Sequence, residues 1–202
     1  MTKIILVRHG ETKWNLLGRY QGQTDIALSD KGLQQAQMLA KRFAFPEISA
    51  AYSSDLQRAY KTASCVADRF SLPVTEKAGL REMNFGEWEG LTYKQIAVQW
   101  PEAMGTFFQR PDMLEIPGGE GFAVLQERAV KCIEEIVASN VGKTVAVVAH
   151  GAILRTILTH VLHMPLRYVW TIRQDNTAVN ILRYDEGNCM VELVNSTAHL
   201  QK

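Results

Sequence analysis

Four consecutive apolar residues, Ile4-Ile5-Leu6-Val7, open the chain without the polar alternation of a half-exposed strand. Such a run reads as a strand buried on both faces, over residues 3–7. A second run, Val145-Ala146-Val147-Val148-Ala149, has the same character and predicts a strand over 144–149. Elsewhere apolar residues recur every three or four positions. Leu33, Ala36, Leu39, Ala40 and Phe43 make one face of a helix that Ser29 can cap. A long amphipathic pattern predicts a helix over 120–139. Gly151 opens another, through residue 162, which Pro165 closes. Short strands are expected at 48–52 and around Val74. Ser54 with Gln57, and Thr92 with Gln95, have capping-box spacing and should start helices. The first of these carries Arg58 in its opening turn, and the second ends near Pro101. Residues 10–30 are turn-rich. Residues 101–118, with Pro101, Pro111, Pro117 and Gly118, read as loop. Strands at 178–184 and 190–195 form a closing hairpin around Glu186-Gly187-Asn188. This alternation predicts an α/β fold: a three-layer α/β/α sandwich around a mainly parallel sheet with an antiparallel edge. Residues 1–202 are expected to form one domain.

Composition narrows the partners. A net charge of +1 gives no electrostatic reason to expect nucleic acid or an acidic membrane. The first apolar run is too short for a secretory signal, and no stretch is long enough to span a bilayer. Cys65, Cys132 and Cys189 are an odd, scattered set without metal-ligand spacing, which reads as reduced packing thiols in a cytoplasmic protein.

The chemistry enters where the two buried runs stop. One delivers Arg8-His9-Gly10, the other His150-Gly151. In open α/β sheets, ligands bind beyond the carboxyl ends of strands, and Arg58 also follows a predicted strand. Phosphoryl transfer needs donors around three phosphoryl oxygens, an in-line nucleophile and an acid for the leaving group. Arginine grips phosphate through two parallel N–H bonds. A histidine can attack phosphorus if unprotonated, and neighbouring arginines disfavour the imidazolium. Arg8, His9, Arg58 and His150 suit these roles, and Glu82 could supply the proton.

These residues sit in longer motifs. Leu6-Val7-Arg8-His9-Gly10-Glu11-Thr12-Lys13-Trp14-Asn15, then Gly18-Arg19-Tyr20-Gln21-Gly22, resemble the opening signature of the histidine phosphatase superfamily, also called phosphoglycerate-mutase-like. Ser53-Ser54-Asp55-Leu56-Gln57-Arg58-Ala59, Arg81-Glu82 with Phe85-Gly86-Glu87-Trp88-Glu89-Gly90, Pro117-Gly118-Gly119-Glu120 and Val148-Ala149-His150-Gly151 follow in the family's order. The resemblance covers nearly the whole chain. It implies that His9 becomes phosphohistidine, and that Arg8, Arg58 and His150 hold the phosphoryl oxygens. It also implies that Asn15 adds an amide donor, and that backbone N–H groups near Gln21, Gly22 and Gly151 add more. Glu82 then acts as acid toward the leaving oxygen and as base toward water. No metal and no cofactor are implied. One departure stands out: family members often carry Ser where this chain has Gly121, so a helix-start contact is in question.

The same pocket suits a phosphatase or a mutase. Cofactor-dependent phosphoglycerate mutases typically follow the glutamate with Arg-His-Tyr-Gly and a basic insertion. Here Met83-Asn84-Phe85-Gly86 follows Glu82. Between Met83 and Gly118 stand two basic residues, Lys94 and Arg110, and five acidic ones: Glu87, Glu89, Glu102, Asp112 and Glu115. That balance favours the phosphatase branch, closest to broad-specificity and α-ribazole phosphatases. The expected partner is a small-molecule phosphomonoester with an uncharged or aromatic body. Trp14, Tyr20, Phe85, Trp88, Phe107 and Phe108 are candidates for an apolar mouth, some of them core. The alternatives are a phosphoglycerate mutase and a non-catalytic phosphate- or phosphoprotein-binding module. The intact site argues against the module. A homodimer follows from family analogy alone. His160 and His163 are three apart but lack a third ligand, and His199 reads as tail.

Overall fold

The structure, a computed structural model, describes residues 1–201. Strand β1 (Thr2–Arg8) lies inside a six-stranded sheet of order β3-β2-β4-β1-β5-β6. Its neighbour β4 (Thr144–Ala149) runs parallel, with Ile4 opposite Val145 and Arg8 opposite Ala149. β2 (Ala50–Ser53) and β3 (Val74–Glu76) extend the parallel half. β5 (Val179–Asp185) runs antiparallel to β1, and β6 (Asn188–Ser196) closes the edge. Glu186 and Gly187 join them at φ 47° and 81°. Two positive φ values in a two-residue turn match the right-handed twist of the flanking strands.

The apolar runs produce the layers directly. Side chains alternate across a strand. Ile4, Leu6, Val145 and Val147 therefore pack with Leu125, Ile133, Leu154 and Ile157 on one face. Ile5, Val7, Ala146 and Val148 pack with Leu39, Ala59, Ala63 and Val66 on the other. The first face is covered by α6 (Phe122–Ser139) and α7 (Gly151–Val161), the second by α2 (Asp30–Arg42) and α3 (Gln57–Asp68). This is the expected three-layer α/β arrangement. A short α1 (Lys13–Leu16) forms inside the turn-rich segment, closed by a Thr12–Asn15 capping box.

Two local expectations are corrected. Residues 101–118 are not loop throughout: α5 (Pro101–Gln109) directly follows α4 (Tyr93–Gln99), and a 3-10 turn spans Pro111–Met113. Both prolines stand at the first helical position, where the missing N–H has no intrahelical partner to lose and φ is already helical. Ser54 and Gln57 form no capping box. Leu56 occupies the cap, and Gln57 N–H donates to Asp25 Oδ1 at 2.8 Å, so a distant loop caps α3. α6 starts at Phe122 after Gly121, which contributes no capping side chain, as the departure from the family pattern implied.

Candidate active site

Because Arg8 and Ala149 are register partners, the residues that follow them emerge side by side. The rings of His9 and His150 lie 5.1 Å apart between centroids, tilted by 59°, and both side chains are buried. The chain leaving His9 presses against α2: a Cβ on Gly10 would stand 2.4 Å from the Gly32 carbonyl oxygen. Only glycine permits that approach. His9 Nδ1 lies 2.7 Å from the Gly10 carbonyl oxygen. A carbonyl only accepts, so Nδ1 carries the proton in this contact and the neutral ring keeps its lone pair on Nε2. Burial, then the charges of Arg58 and Arg8, hold the His9 pKa well below its usual value. The ring is therefore neutral at neutral pH, with its lone pair on Nε2.

The surrounding cations are anchored through their outer nitrogens. Arg8 Nη1 donates to the Gln174 carbonyl at 2.6 Å. Arg58, fully buried in the first turn of α3, donates from Nη1 to Thr24 O at 2.9 Å and from Nη2 to Gly22 O at 2.7 Å. Burial lowers its pKa to about 10, against the opposing pull of Glu82, Asp25 and Glu89. It stays cationic at neutral pH. Arg8 Nε, Arg58 Nε and both ring nitrogens of His150 are buried and have no hydrogen-bond partner in the protein. His150, like His9, is kept neutral, by burial first and then by Arg58, His9 and Arg8. Buried polar groups are almost always bonded. Unpartnered nitrogens on three side chains that act electrostatically on one another are the chemistry that an oxyanion receptor would need.

Glu82 completes the ring. Its Oε1 accepts from Met83 N–H at 2.9 Å and Ile153 N–H at 3.1 Å, and its Oε2 accepts from Ala152 N–H at 3.1 Å. The carboxyl group thus caps α7, where His150 itself supplies no capping side chain. Oε2 accepts one hydrogen bond where Oε1 accepts two, which leaves it a free acceptor site. Of the flanking residues, Gly22 is tied in through its carbonyl to Arg58. The Gln21 side chain is occupied, its Oε1 accepting from Thr12 Oγ1 at 2.7 Å. Asn15 Oδ1 accepts from Thr12 N–H at 3.1 Å, so the side chain caps a turn, with its amide nitrogen left over. A Cβ on Gly151 would lie 3.1 Å from Arg155 Nη1 and 3.4 Å from Arg8 Nε, so a glycine lets both guanidinium groups crowd the start of α7.

Some functional side chains carry no signal in the sequence. Arg155 donates from Nε to Ile172 O at 2.8 Å, sits 5.2 Å above the Trp170 ring and has its pKa lowered to about 10 by burial and by Arg8. Arg128 lies behind Glu82. Asn176 Nδ2 donates to the His9 carbonyl at 3.0 Å, and Thr177 N–H donates to the Arg8 carbonyl at 3.1 Å. His199 is not a loose tail: it is buried, with Nε2 3.0 Å from Thr177 Oγ1. Among the candidate mouth aromatics, Phe85, Trp88 and Phe107 are core, while Phe108 is exposed and Trp14 and Tyr20 are half-buried. A groove of about 530 Å³ at the opposite end of the sheet contains none of these residues. His160 and His163 are exposed near the end of α7, and among the described residues no cluster of three or more His, Cys, Asp or Glu could hold a metal. Among them, too, no helix is long and apolar enough to cross a membrane.

Known proteins share this fold. A metal-independent phosphoserine phosphatase of Arabidopsis thaliana is 37% identical over 99% of this chain and 84% of its own. The solved structure of Bacillus stearothermophilus YhfR superposes with a TM-score of 0.95 at 36% identity, covering 100% of both chains. A phosphoserine phosphatase mutant from Entamoeba histolytica, in complex with phosphoserine, superposes with a TM-score of 0.90 at 32% identity, again over 100% of both chains. Residues 4–197 match the histidine phosphatase superfamily (branch 1), and the chain belongs to that family.

Proposed function

We propose that the protein hydrolyses small-molecule phosphomonoesters through a phosphohistidine on His9. The observation that carries this reading is the set of unpartnered nitrogens on Arg8, Arg58 and His150 around a neutral ring whose lone pair is on Nε2. The phosphoryl oxygens take those donors. His9 Nε2 attacks phosphorus in line with the ester oxygen, and the P–O bond breaks as Glu82 gives that oxygen its proton. Water then donates a proton to the Glu82 carboxylate and attacks phosphorus. The P–N bond breaks, the lone pair returns to Nε2, and inorganic phosphate leaves. Two arginines supply the positive charge a metal would otherwise bring, so turnover is expected to survive a chelator.

Asn15, through its spare amide nitrogen, and the N–H groups of Gln21, Gly22 and Gly151 extend the anion receptor. Relatives named for phosphoserine put that ester at the head of the substrate panel. Arg155, beside Arg8 and outside the segment 83–118 counted from the sequence, is a cation that a substrate carboxylate could reach. Residues 1–202 act as one catalytic domain in the cytoplasm, and light scattering tests the homodimer that family analogy suggests. The decisive experiment is rapid quench into alkaline detergent, in which phosphohistidine survives, of phosphoryl-labelled phosphoserine or p-nitrophenyl phosphate with the native protein and His9→Ala. Labelled native protein, and neither label nor turnover in the variant, is the expected result. Retained turnover in His9→Ala would refute the assignment. Faster isomerisation of phosphoglycerate than hydrolysis of any ester would move the protein to the mutase branch.

A further inference from the structure

Glu82 lies on an irregular segment between a 3-10 turn (Ala78–Leu80) and another (Gly86–Trp88), with no regular ladder to fix it. Arg128 makes the most side-chain bonds to that segment, and Gln23 Nε2 adds one to Glu82 O at 3.3 Å. Arg128, on α6, donates from Nη1 to Gly79 O at 3.1 Å and Arg81 O at 2.7 Å, and from Nη2 to Glu82 O at 2.8 Å. Its remaining donors go to Glu120: Nε to Oε2 at 3.1 Å and Nη2 to Oε1 at 2.6 Å. All five guanidinium protons are therefore used. Glu120 is itself tied to the same segment, because Oε1 also accepts from Asn84 N–H at 2.8 Å and Glu120 N–H donates to Asn84 O at 2.9 Å.

The glycines around this clamp are there for space. A Cβ on Gly79 would stand 2.9 Å from Cys132 Cβ, and one on Gly119 would stand 2.5 Å from Asn84 O. The Gly118-Gly119-Glu120 motif thus brings a carboxylate against the backbone on either side of Glu82. Neither Arg128 nor Glu120 contacts the histidine pair or the two phosphate-facing arginines through a hydrogen bond.

We propose that Arg128 and Glu120 form a positioning unit for Glu82, setting where the proton on its Oε2 meets the leaving oxygen while leaving the hydrogen bonds of the phosphoryl receptor untouched. The inference rests on Glu82 being the acid. Lysine cannot replace this arginine: it keeps the charge but has three donors on one nitrogen and cannot span three carbonyls and both carboxylate oxygens. The effect of Arg128→Lys should therefore depend on how much the leaving group needs a proton.

The test compares phosphoserine, an alkyl ester, with p-nitrophenyl phosphate, whose phenolate leaves with little help. Arg128→Lys should lower kcat/KM for phosphoserine at least tenfold more than for p-nitrophenyl phosphate. Its vanadate affinity, which reports the receptor, should stay within about threefold of native, a free-energy change of ~0.6 kcal/mol. In a Glu82→Gln background the same substitution should add no further bias between the two esters. Equal losses on both esters, a matching loss of vanadate affinity, or no loss at all would each overturn the inference. If Arg128→Lys does not fold, Glu120→Gln, which keeps an acceptor for Asn84 N–H but loses the charge paired with Arg128, is judged by the same criteria. If Glu82→Gln alone shows no leaving-group bias, the acid assignment fails. If it shows the bias and neither clamp variant does, only the positioning unit fails.

Discussion

His150→Leu should make the unliganded protein more stable and far less active. The histidine side chain is fully buried, and neither ring nitrogen has a partner in the protein. Burial and four neighbouring side chains, Arg58, His9, Arg8 and Arg128, keep the ring neutral, so it presents one N–H donor and one lone pair with no partner in the protein. Leaving such a group unpaired costs about 1–3 kcal/mol, and replacing it by an apolar group of similar size removes that cost. Imperfect repacking against the His9 ring takes back roughly 1 kcal/mol. The net gain of about 1–2 kcal/mol should raise Tm by roughly 2–8 °C in a chain of this length. Catalysis moves the other way. Removing one donor to a developing oxyanion lowers kcat by about 10²–10³-fold. Calorimetry in phosphate-free buffer, with and without vanadate, reads both effects. Native protein should gain about 2.7 kcal/mol at vanadate concentrations of roughly 100 Kd, and the variant much less at the same concentration. A lower Tm in the unliganded variant, or activity within tenfold of native, would refute the idea that His150 is held unpaired for an anion.

Acid sensitivity should follow the buried histidines. His9 must be neutral to attack, and its pKa is depressed, so kcat/KM should show no acid limb for its protonation near pH 6.5; a limb at that value assigned to His9 by its loss in a variant would contradict the electrostatics. His199 has its pKa lowered to about 4 by burial. A depressed folded-state pKa means the unfolded chain takes up the proton first as pH falls. Stability should therefore be whole above pH 6.5 and decline toward about 4, with a shallower decline in His199→Gln, read by urea unfolding across that range. Gly151→Ala puts a methyl group 3.1 Å from Arg155 Nη1 and 3.4 Å from Arg8 Nε. Displacing those groups by a few tenths of an ångström should cost about tenfold in kcat/KM with the fold intact by circular dichroism.

How far the chain could be read depended on where each signal was stored. The two buried strands and their histidines were legible because four or five consecutive apolar residues and a following His-Gly are local facts. The helix at 101–109 is hidden in the sequence because prolines read as breakers, while Pro101 and Pro111 both stand at first helical positions. The cap of α3 was misplaced because its acceptor, Asp25, comes from another part of the chain. Arg128 and Arg155 look in the sequence like any arginine on an amphipathic helix. Only the tertiary fold reveals that one grips the backbone of Glu82 and the other shares the space above Gly151. His199 was taken for a tail because a lone histidine near a terminus carries no mark of burial. Its packing depends on Thr177, in the loop before β5.

The parallel pairing of β1 with β4 has a consequence for how the protein is made. The two imidazoles become neighbours only when β1 (Thr2–Arg8) and β4 (Thr144–Ala149), far apart in the sequence, lie side by side. A growing chain leaving the ribosome at about 5–20 residues per second carries its nucleophile for seconds before the second ring exists. During that interval the emerging polypeptide can neither grip phosphate nor be labelled by it. Oxyanion binding is therefore a late reporter of assembly, acquired only after β4 docks beside β1, and a translation product stalled before residue 144 should be inert toward vanadate however much helix it already contains.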